Sequence, residues 1–395
     1  MTLALHGGRP VRDTMLPYGQ QWIDDQDVEA VLRVLRGPYL TQGPAVPAFE
    51  RKVAEFVGAR HAVAFTNGTA ALHAACYAAG LGPGDEVITT PITFVASANC
   101  ALYVGAKPFF ADIDPHTYNL DPAQVEAAIT PRTKAIVAVD FTGQPADMDA
   151  INAIADRHGL VVIQDAAHSI GATYKGRKVG TLAAMTMFSF HPVKHVTTGE
   201  GGVIVTDSDE YAAKLRLFRS HGITREHMER DEGPWYYEMV DLGYNYRMTD
   251  LQAGLGASQM DKLPMFLERR RRWAEMYTRE LLQWDEIITP CQLPDTNSAW
   301  HLYMIQFKGD RLNGTRRDWF DAMRAENIGV HVHYIPVYRQ PYYRKLGYEP
   351  GLCPVAEKWY SQAMTLPLYA KMEERDVHDV IEALGKVVRY FAKSR

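Results

Sequence analysis

The sequence predicts an α/β fold: a mostly parallel sheet of seven strands in a large domain, followed by a smaller α+β unit. Two observations carry this expectation. Up to about residue 206, short apolar, β-branched runs alternate with helical stretches. Near-continuous apolar strands separated by helices belong to a sheet covered on both faces. After about residue 250 the pattern changes to one long helical region and then to a mixed helix and strand texture. Residues 1–255 are therefore expected to form an N-terminal segment with the large domain, and residues 256–395 the small C-terminal domain.

The elements follow in order. Val28, Val31, Leu32 and Leu35 recur at helical spacing, with Asp24 and Asp25 near the start and Gly37 at the end. The expected strands are Ala62–Thr66, Glu86–Thr90, Pro108–Ala111, Ala135–Asp140, Val161–Asp165, Met185–Phe190 and Val203–Thr206. Helices are expected between them at Thr69–Ala79, Pro122–Ile129 and Met148–His158. The region from Asp250 to about Leu282 reads as helix, with Pro264 breaking or kinking it. Beyond it, strands are expected at His301–Phe307 and Gly329–Tyr334, and helices at Arg317–Glu326 and Glu374–Phe391. The run Arg269–Arg272 follows Glu268 on the long helix and is expected to be mostly solvated.

Composition narrows the function. The 395 residues are 47% hydrophobic and carry a net charge of -5, so no basic excess marks a nucleic-acid binder. No apolar run approaches the roughly 20 residues of a membrane span. Gly7, Gly8, Arg9 and Pro10 interrupt any signal-peptide core. Cys76, Cys100, Cys291 and Cys353 form no C-x-x-C pair and read as reduced thiols of a cytoplasmic protein.

In an open parallel sheet, ligands sit outside the carboxyl ends of the strands. Four places there carry candidate chemistry. After the first strand, Asn67-Gly68-Thr69-Ala70-Ala71 leads into a helix, whose free N–H groups and positive dipole end suit a phosphate. A capped turn with Thr69 as N-cap is the plain alternative. Asp165 closes a strand and is followed by Ala166-Ala167-His168. A carboxylate there can pair with a protonated pyridine nitrogen, or merely cap the next segment. Lys194 lies just past the strand Met185–Phe190, in an apolar and aromatic setting that lowers an amine pKa and frees it as a nucleophile. A solvated surface charge is the ordinary reading of a lone lysine. Ser189, five residues earlier, can reach a phosphate at the other end of the same cofactor. Phe94, after the second strand, offers a stacking wall for a flat ring, or a place in the core. His191 and His195 are four apart, but no carboxylate or cysteine stands at ligand spacing and Pro192 intervenes, so no metal is expected. A phosphate turn, a stacking aromatic, a ring-nitrogen carboxylate and a nucleophilic lysine together describe one cofactor, pyridoxal phosphate.

The stretches Thr89-Thr90-Pro91-Ile92-Thr93-Phe94, Phe188-Ser189-Phe190-His191-Pro192-Val193-Lys194, Arg219-Ser220-His221-Gly222-Ile223, Leu242-Gly243-Tyr244-Asn245-Tyr246-Arg247 and Val330-His331-Val332-His333-Tyr334 resemble the DegT-type sugar aminotransferases. These share the aspartate-aminotransferase fold, fold type I. Within the family the sequence is most similar to the C4 aminotransferases of the pseudaminic acid pathway. The 4-amino-4-deoxy-arabinose aminotransferases carry a similar histidine-containing motif, and the familiar proline after the lysine is His195 here.

The resemblance implies that Lys194 holds pyridoxal phosphate as a Schiff base and shuttles the proton. It implies that Asp165 pairs with the pyridine nitrogen, that Phe94 stacks on the ring, and that His168 lies near the phenolic oxygen. Gly68, Thr69, Ala70 and Ser189 would hold the phosphate. Asn245, with Arg247 near it, would come to that phosphate from the partner subunit of a homodimer with shared sites. His331, His333 and Tyr334 would face the substrate side. The expected reaction moves an amino group from L-glutamate, giving 2-oxoglutarate, to C4 of a UDP-linked 4-keto-6-deoxy N-acetylhexosamine. The rivals are weaker. A sugar dehydratase of this fold has histidine where Lys194 stands, a pyridoxal-phosphate-binding regulator needs no complete site, and a nicotinamide oxidoreductase needs G-x-G-x-x-G after a strand.

Overall fold

Strand alternation explains the central layer. Ala62 and Ala64 point to one side of the sheet and Val63 and Phe65 to the other; Ile136 and Ala138 oppose Ala135 and Val137 in the same way. Both sides are apolar, so both must be covered. In the computed structural model, which describes residues 2–226, 228 and 232–393, they are. Seven strands form the sheet: β1 (His61–Phe65), β2 (Glu86–Thr89), β3 (Lys107–Phe110), β4 (Thr133–Val139), β5 (Val161–Asp165), β6 (Met185–Ser189) and β7 (Gly202–Thr206). Their order is β1-β7-β6-β5-β4-β2-β3, and only β7 runs antiparallel to its neighbours. The expected mostly parallel α/β sheet is therefore present, each strand lying within two residues of its expected bounds.

One face is covered by α2 (Ala45–Val57), α6 (Met148–His158) and the first half of α8 (Asp250–Leu281). The other is covered by α3 (Gly68–Ala78), α4 (Ala96–Tyr103) and α7 (Asp209–Arg219). Helices α1 (Asp25–Leu35) and α5 (Pro122–Ala128) complete this part. Asp24 caps α1 through a capping box.

A second core gathers residues from the chain's two ends. Leu3 and Leu16 pack with Trp273, Tyr277 and the C-terminal elements. Those are a small sheet of β8 (Ile287–Ile288), β9 (Tyr303–Phe307) and β10 (Ala363–Leu366), and helices α9 (Arg316–Ala325) and α12 (Glu374–Phe391); α10 (Pro341–Lys345) and α11 (Pro354–Gln362) pack instead with Ile92, Phe110 and Phe141 of the large domain. Buried Glu326 accepts hydrogen bonds from the N–H groups of Ala4 and Val11 and pairs with Lys386 at 2.5 Å, which fastens the N-terminal segment here. Among the described residues no helix is long and apolar enough to cross a membrane.

Three expectations are corrected. Pro264 lies inside α8 and does not break it: the helix runs unbroken for its whole 32 residues. Leu263, Phe266 and Leu267 seat that stretch in the sheet's core, and tertiary packing outweighs the local cost of proline. Gly329–Tyr334 is not a strand; only His331 makes a bridge, to Thr365. The place beside β9 is filled by Ala363–Leu366 instead. The arginine run is mostly engaged rather than solvated. Arg269 donates to the carbonyls of Ala370 and Met372, buried Arg270 to those of Trp300, His301 and Leu368, and Arg271 to those of Ser298 and Gly171. Only Arg272 is exposed. Through Arg270 and Arg271, α8 is tied to the segments that carry His301 and His168, both of which line the cavity described next.

Candidate active site

The carboxyl ends of the strands open onto a cavity of about 930 Å³. The turn after β1 forms one wall. Asn67, not Thr69, caps α3: its side chain accepts the Ala70 N–H at 2.8 Å. Thr69 lines the cavity, and the amides of Gly68 and Thr69 are left without a partner among the described residues. A Cβ on Gly68 would stand 3.3 Å from Met187 Sδ and 3.4 Å from Ser189 Cβ, so Ser189 at the end of β6 closes the other side of this turn.

Asp165 ends β5 and is 5% exposed. Its Oδ2 accepts from Ser97 Oγ at 2.6 Å and its Oδ1 from the Ala167 N–H at 3.1 Å. Burial pushes its pKa up; the Ser97 and Ala167 hydrogen bonds and the nearby Lys194 ammonium pull the other way.

Lys194 reaches the cavity from a loop folded against β7. The Phe190 N–H donates to Gly201, the Thr198 N–H to Phe190 and the Lys194 N–H to His191. Burial lowers its amine pKa to about 8; Asp165 opposes this, and the buried Arg270 guanidinium adds to it. Among the described residues Arg270 has no carboxylate partner. An amine, a carboxylate and a free-amide turn thus share one pocket.

The far wall is aromatic. Tyr334 OH lies 3.4 Å from His168 Nε2, and Phe94, 58% exposed at the mouth, turns its ring edge-on to Tyr334 at 6.4 Å. The His331 and His333 rings stack at 4.4 Å against Tyr18, and His333 Nδ1 meets Thr365 Oγ1 at 2.8 Å. Burial carries His333 down to about 3, so it is neutral at physiological pH. Behind Lys194, the rings of His168, His301 and His195 follow one another at 4.3 and 5.6 Å. All three are buried, and burial holds each neutral. Each has an Nδ1 with no hydrogen-bond partner.

The cavity therefore brings together Gly68, Thr69, Ala70, Phe94, Asp165, His168, Ser189, Lys194, His331, His333 and Tyr334. Asn245 is apart: it is exposed, forms a bridge with Ser220, and does not line this chain's cavity. Arg247 is half-buried with an unpartnered Nε. Sequence reading missed Ser97, Tyr18 and His301. Only Ser97 left a signal, lying four residues after Thr93 at the start of a helix.

Residues 21–385 match the DegT/DnrJ/EryC1/StrS aminotransferase family. The chain belongs to this family. It is with that family a sugar aminotransferase dependent on pyridoxal phosphate, on a fold type I scaffold. It is 45% identical over 382 residues to the spore coat polysaccharide biosynthesis protein SpsC of Bacillus subtilis, covering 96% of this chain and 98% of that one. Among solved structures it is similar to Helicobacter pylori PseC, an aminotransferase involved in the biosynthesis of pseudoaminic acid. The TM-score is 0.87 and the identity 32%, over 96% of this chain and 100% of that one. It is also similar to the PLP-form of the putative sugar aminotransferase Spr1654 from Streptococcus pneumoniae, with a TM-score of 0.90 and 29% identity over 95% and 99% of the two chains.

The residues present fit the family's cofactor. A phosphate has the two unpartnered amides of the Gly68–Thr69 turn and the Ser189 hydroxyl. A pyridine nitrogen has the buried Asp165 carboxylate, and a phenolic oxygen has a buried imidazole, His168, whose Nδ1 lacks a partner. The aldehyde has an amine of lowered pKa.

Proposed function

We propose that this aminotransferase moves the amino group of L-glutamate to C4 of a UDP-linked 4-keto-6-deoxy N-acetylhexosamine, releasing 2-oxoglutarate. The observation that carries the reading is one cavity in which Lys194 and Asp165 stand opposite a wall of His331, His333 and Tyr334. The likeness to PseC supports the choice of sugar pathway.

Bound in this cavity, pyridoxal phosphate supplies an aldehyde that takes up an amine and a ring that accepts the electrons of a broken C–H bond. The protein does the rest. The Gly68–Thr69 amides and Ser189 anchor the phosphate. Asp165 holds a proton on the ring nitrogen. Lys194 Nζ, which gives up its proton far more readily than an exposed lysine, would be the attacking amine and then the carrier that moves a proton between carbon atoms. Phe94 covers one face of the ring. Neutral His333 and Tyr334 offer hydrogen bonds to sugar hydroxyls without adding charge, and His331 stands beside them. Asn245 serves the phosphate of the partner subunit in a homodimer. The four unpaired cysteines fit a reducing, cytoplasmic compartment.

The test is a panel of 4-keto nucleotide sugars incubated with the enzyme, cofactor and L-glutamate, with products assigned by mass spectrometry and NMR. Amination at C4 of the UDP-N-acetylhexosamine derivative is expected. Amination of a different sugar nucleotide in its place, or at C3, would overturn the substrate assignment.

A further inference from the structure

The wall behind Asp165 holds a two-hydroxyl chain, in which Ser97, already seen to donate to Asp165, meets Thr93. Ser97 is fully buried and Thr93 is 3% exposed. Ser97 Oγ lies 2.6 Å from Asp165 Oδ2 and 2.7 Å from Thr93 Oγ1. A serine hydroxyl has one proton, and an ionised carboxylate can only accept. With Asp165 ionised, the Ser97 proton goes to it, the Phe94 carbonyl at 3.3 Å being the more distant acceptor, and the Thr93 hydroxyl donates to Ser97. The chain then runs Thr93 to Ser97 to Asp165, and both hydroxyls favour the ionised carboxylate. Thr93 and Ser97 also flank Phe94, and Ser97 sits in the first turn of α4, so one short segment carries the ring's cover and the carboxylate's support.

We propose that Ser97, oriented by Thr93, is a positioning residue that keeps Asp165 ionised and fixes the plane of its carboxylate toward the cofactor nitrogen. This rests on the reading of Asp165 as that nitrogen's partner. The other groups facing Asp165 are the Lys194 ammonium, the Asp140 carboxyl at the end of β4, the Cys100 thiol on α4 and the Tyr334 hydroxyl. Of these only Lys194 favours the ionised form. The hydrogen bonds this chain itself gives the carboxylate are the Ser97 hydroxyl and the Ala167 N–H, and the ring nitrogen's proton would add a third. Removing Ser97 Oγ takes away the shorter of the chain's two. The Asp165 pKa then rises, and the ionised form is lost at a higher pH as acid is added.

The experiment uses the holoenzyme of Ser97→Ala, Thr93→Val, Ser97→Thr and Asp165→Asn. The pH titration of the bound cofactor's visible absorbance is followed without substrate, alongside kcat and KM and thermal unfolding. Ser97→Ala is expected to move the acid transition up by about one pH unit and to lower kcat roughly tenfold with KM nearly unchanged. Thr93→Val should shift it in the same direction by less, and Ser97→Thr should restore it. A Ser97→Ala titration that superimposes on wild type, while Asp165→Asn loses turnover, would overturn the proposal and leave the role of Asp165 standing. An Asp165→Asn enzyme that titrates and turns over like wild type would remove that role and this one with it. If Ser97→Ala does not fold, the same reading is taken from Thr93→Val, for which an unshifted titration is the overturning result.

Discussion

Gly202→Ala tests whether strand packing holds the phosphate turn. Gly202 begins β7, opposite Phe65 of β1 and Ser189 of β6. A Cβ there would stand 2.5 Å from Asn67 O, 2.6 Å from its carbonyl carbon and 2.7 Å from Gly68 N. Comfortable contacts need roughly 3.5 Å, so the turn must retreat by about 1 Å. All three atoms are backbone, so no side chain can swing aside. Such overpacking costs about 1–3 kcal/mol of stability. The same retreat would stretch hydrogen bonds from the Gly68 and Thr69 amides to a phosphate from about 2.9 Å to about 3.9 Å, past the bonding range. A hydrogen bond to a charged group is worth about 1.5–3 kcal/mol, so losing one weakens cofactor affinity roughly ten- to a hundredfold. The assay is titration of apoenzyme with pyridoxal phosphate, paired with urea unfolding. Gly82→Ala is the control: nothing lies within 4 Å of its added Cβ, and full affinity with a stability change under about 1 kcal/mol is expected. Gly202→Ala apoenzyme that binds the cofactor within about threefold of wild type would refute the argument.

Other outcomes follow from the same geometry. Lys194→Ala should lose the visible absorbance of the bound cofactor and its turnover; transamination near the wild-type rate would remove Lys194 from its role. Asp165→Asn should lower kcat by several powers of ten, each about 1.4 kcal/mol of barrier, and a loss under about threefold would reduce Asp165 to a cap. Since only the unprotonated amine attacks an aldehyde, the rate of cofactor capture by apoenzyme should rise about tenfold per pH unit up to about pH 8 and then level off; a rate flat across this range would contradict the lowered Lys194 pKa. Lys194→Ala and Asn245→Asp chains reassorted at equal amounts should recover about one quarter of wild-type activity, because about half the dimers are mixed and one of the two sites in each carries neither lesion. Confirmed mixed dimers with no recovery would place Asn245 at its own chain's site.

The large sheet was legible because both faces of each strand are apolar, which leaves short uninterrupted runs between helices. Lys194 and Asp165 were legible because the carboxyl ends of parallel strands are where such a fold keeps its chemistry. Gly329–Tyr334 misled for a related reason: Val330, Val332 and the aromatics read as a strand, but backbone pairing depends on which segment wins the edge of β9, and that is a tertiary choice. Pro264 misled because its cost is local while the packing of Leu263 and Phe266 is not. Arg270 looked solvated as part of a charged run; its burial depends on carbonyls of Trp300, His301 and Leu368, up to 98 residues away in sequence. Tyr18 and His301 reach the cavity only through the fold and left no local mark.

The place of β7 in the sheet sets an order of assembly. β1 is made first, yet its only sheet neighbour is β7. Until residues 202–206 leave the ribosome, β1 has a bare edge and the turn that follows it has no Gly202 to rest on. At ~5–20 residues per second the wait is on the order of ten seconds, long for an apolar strand in a crowded cell. The parallel strands β2 to β5 have no such gap, each finding its partners among its near neighbours in sequence. The growing chain is thus exposed to aggregation through β1, and its cofactor pocket closes late, after most of the scaffold exists.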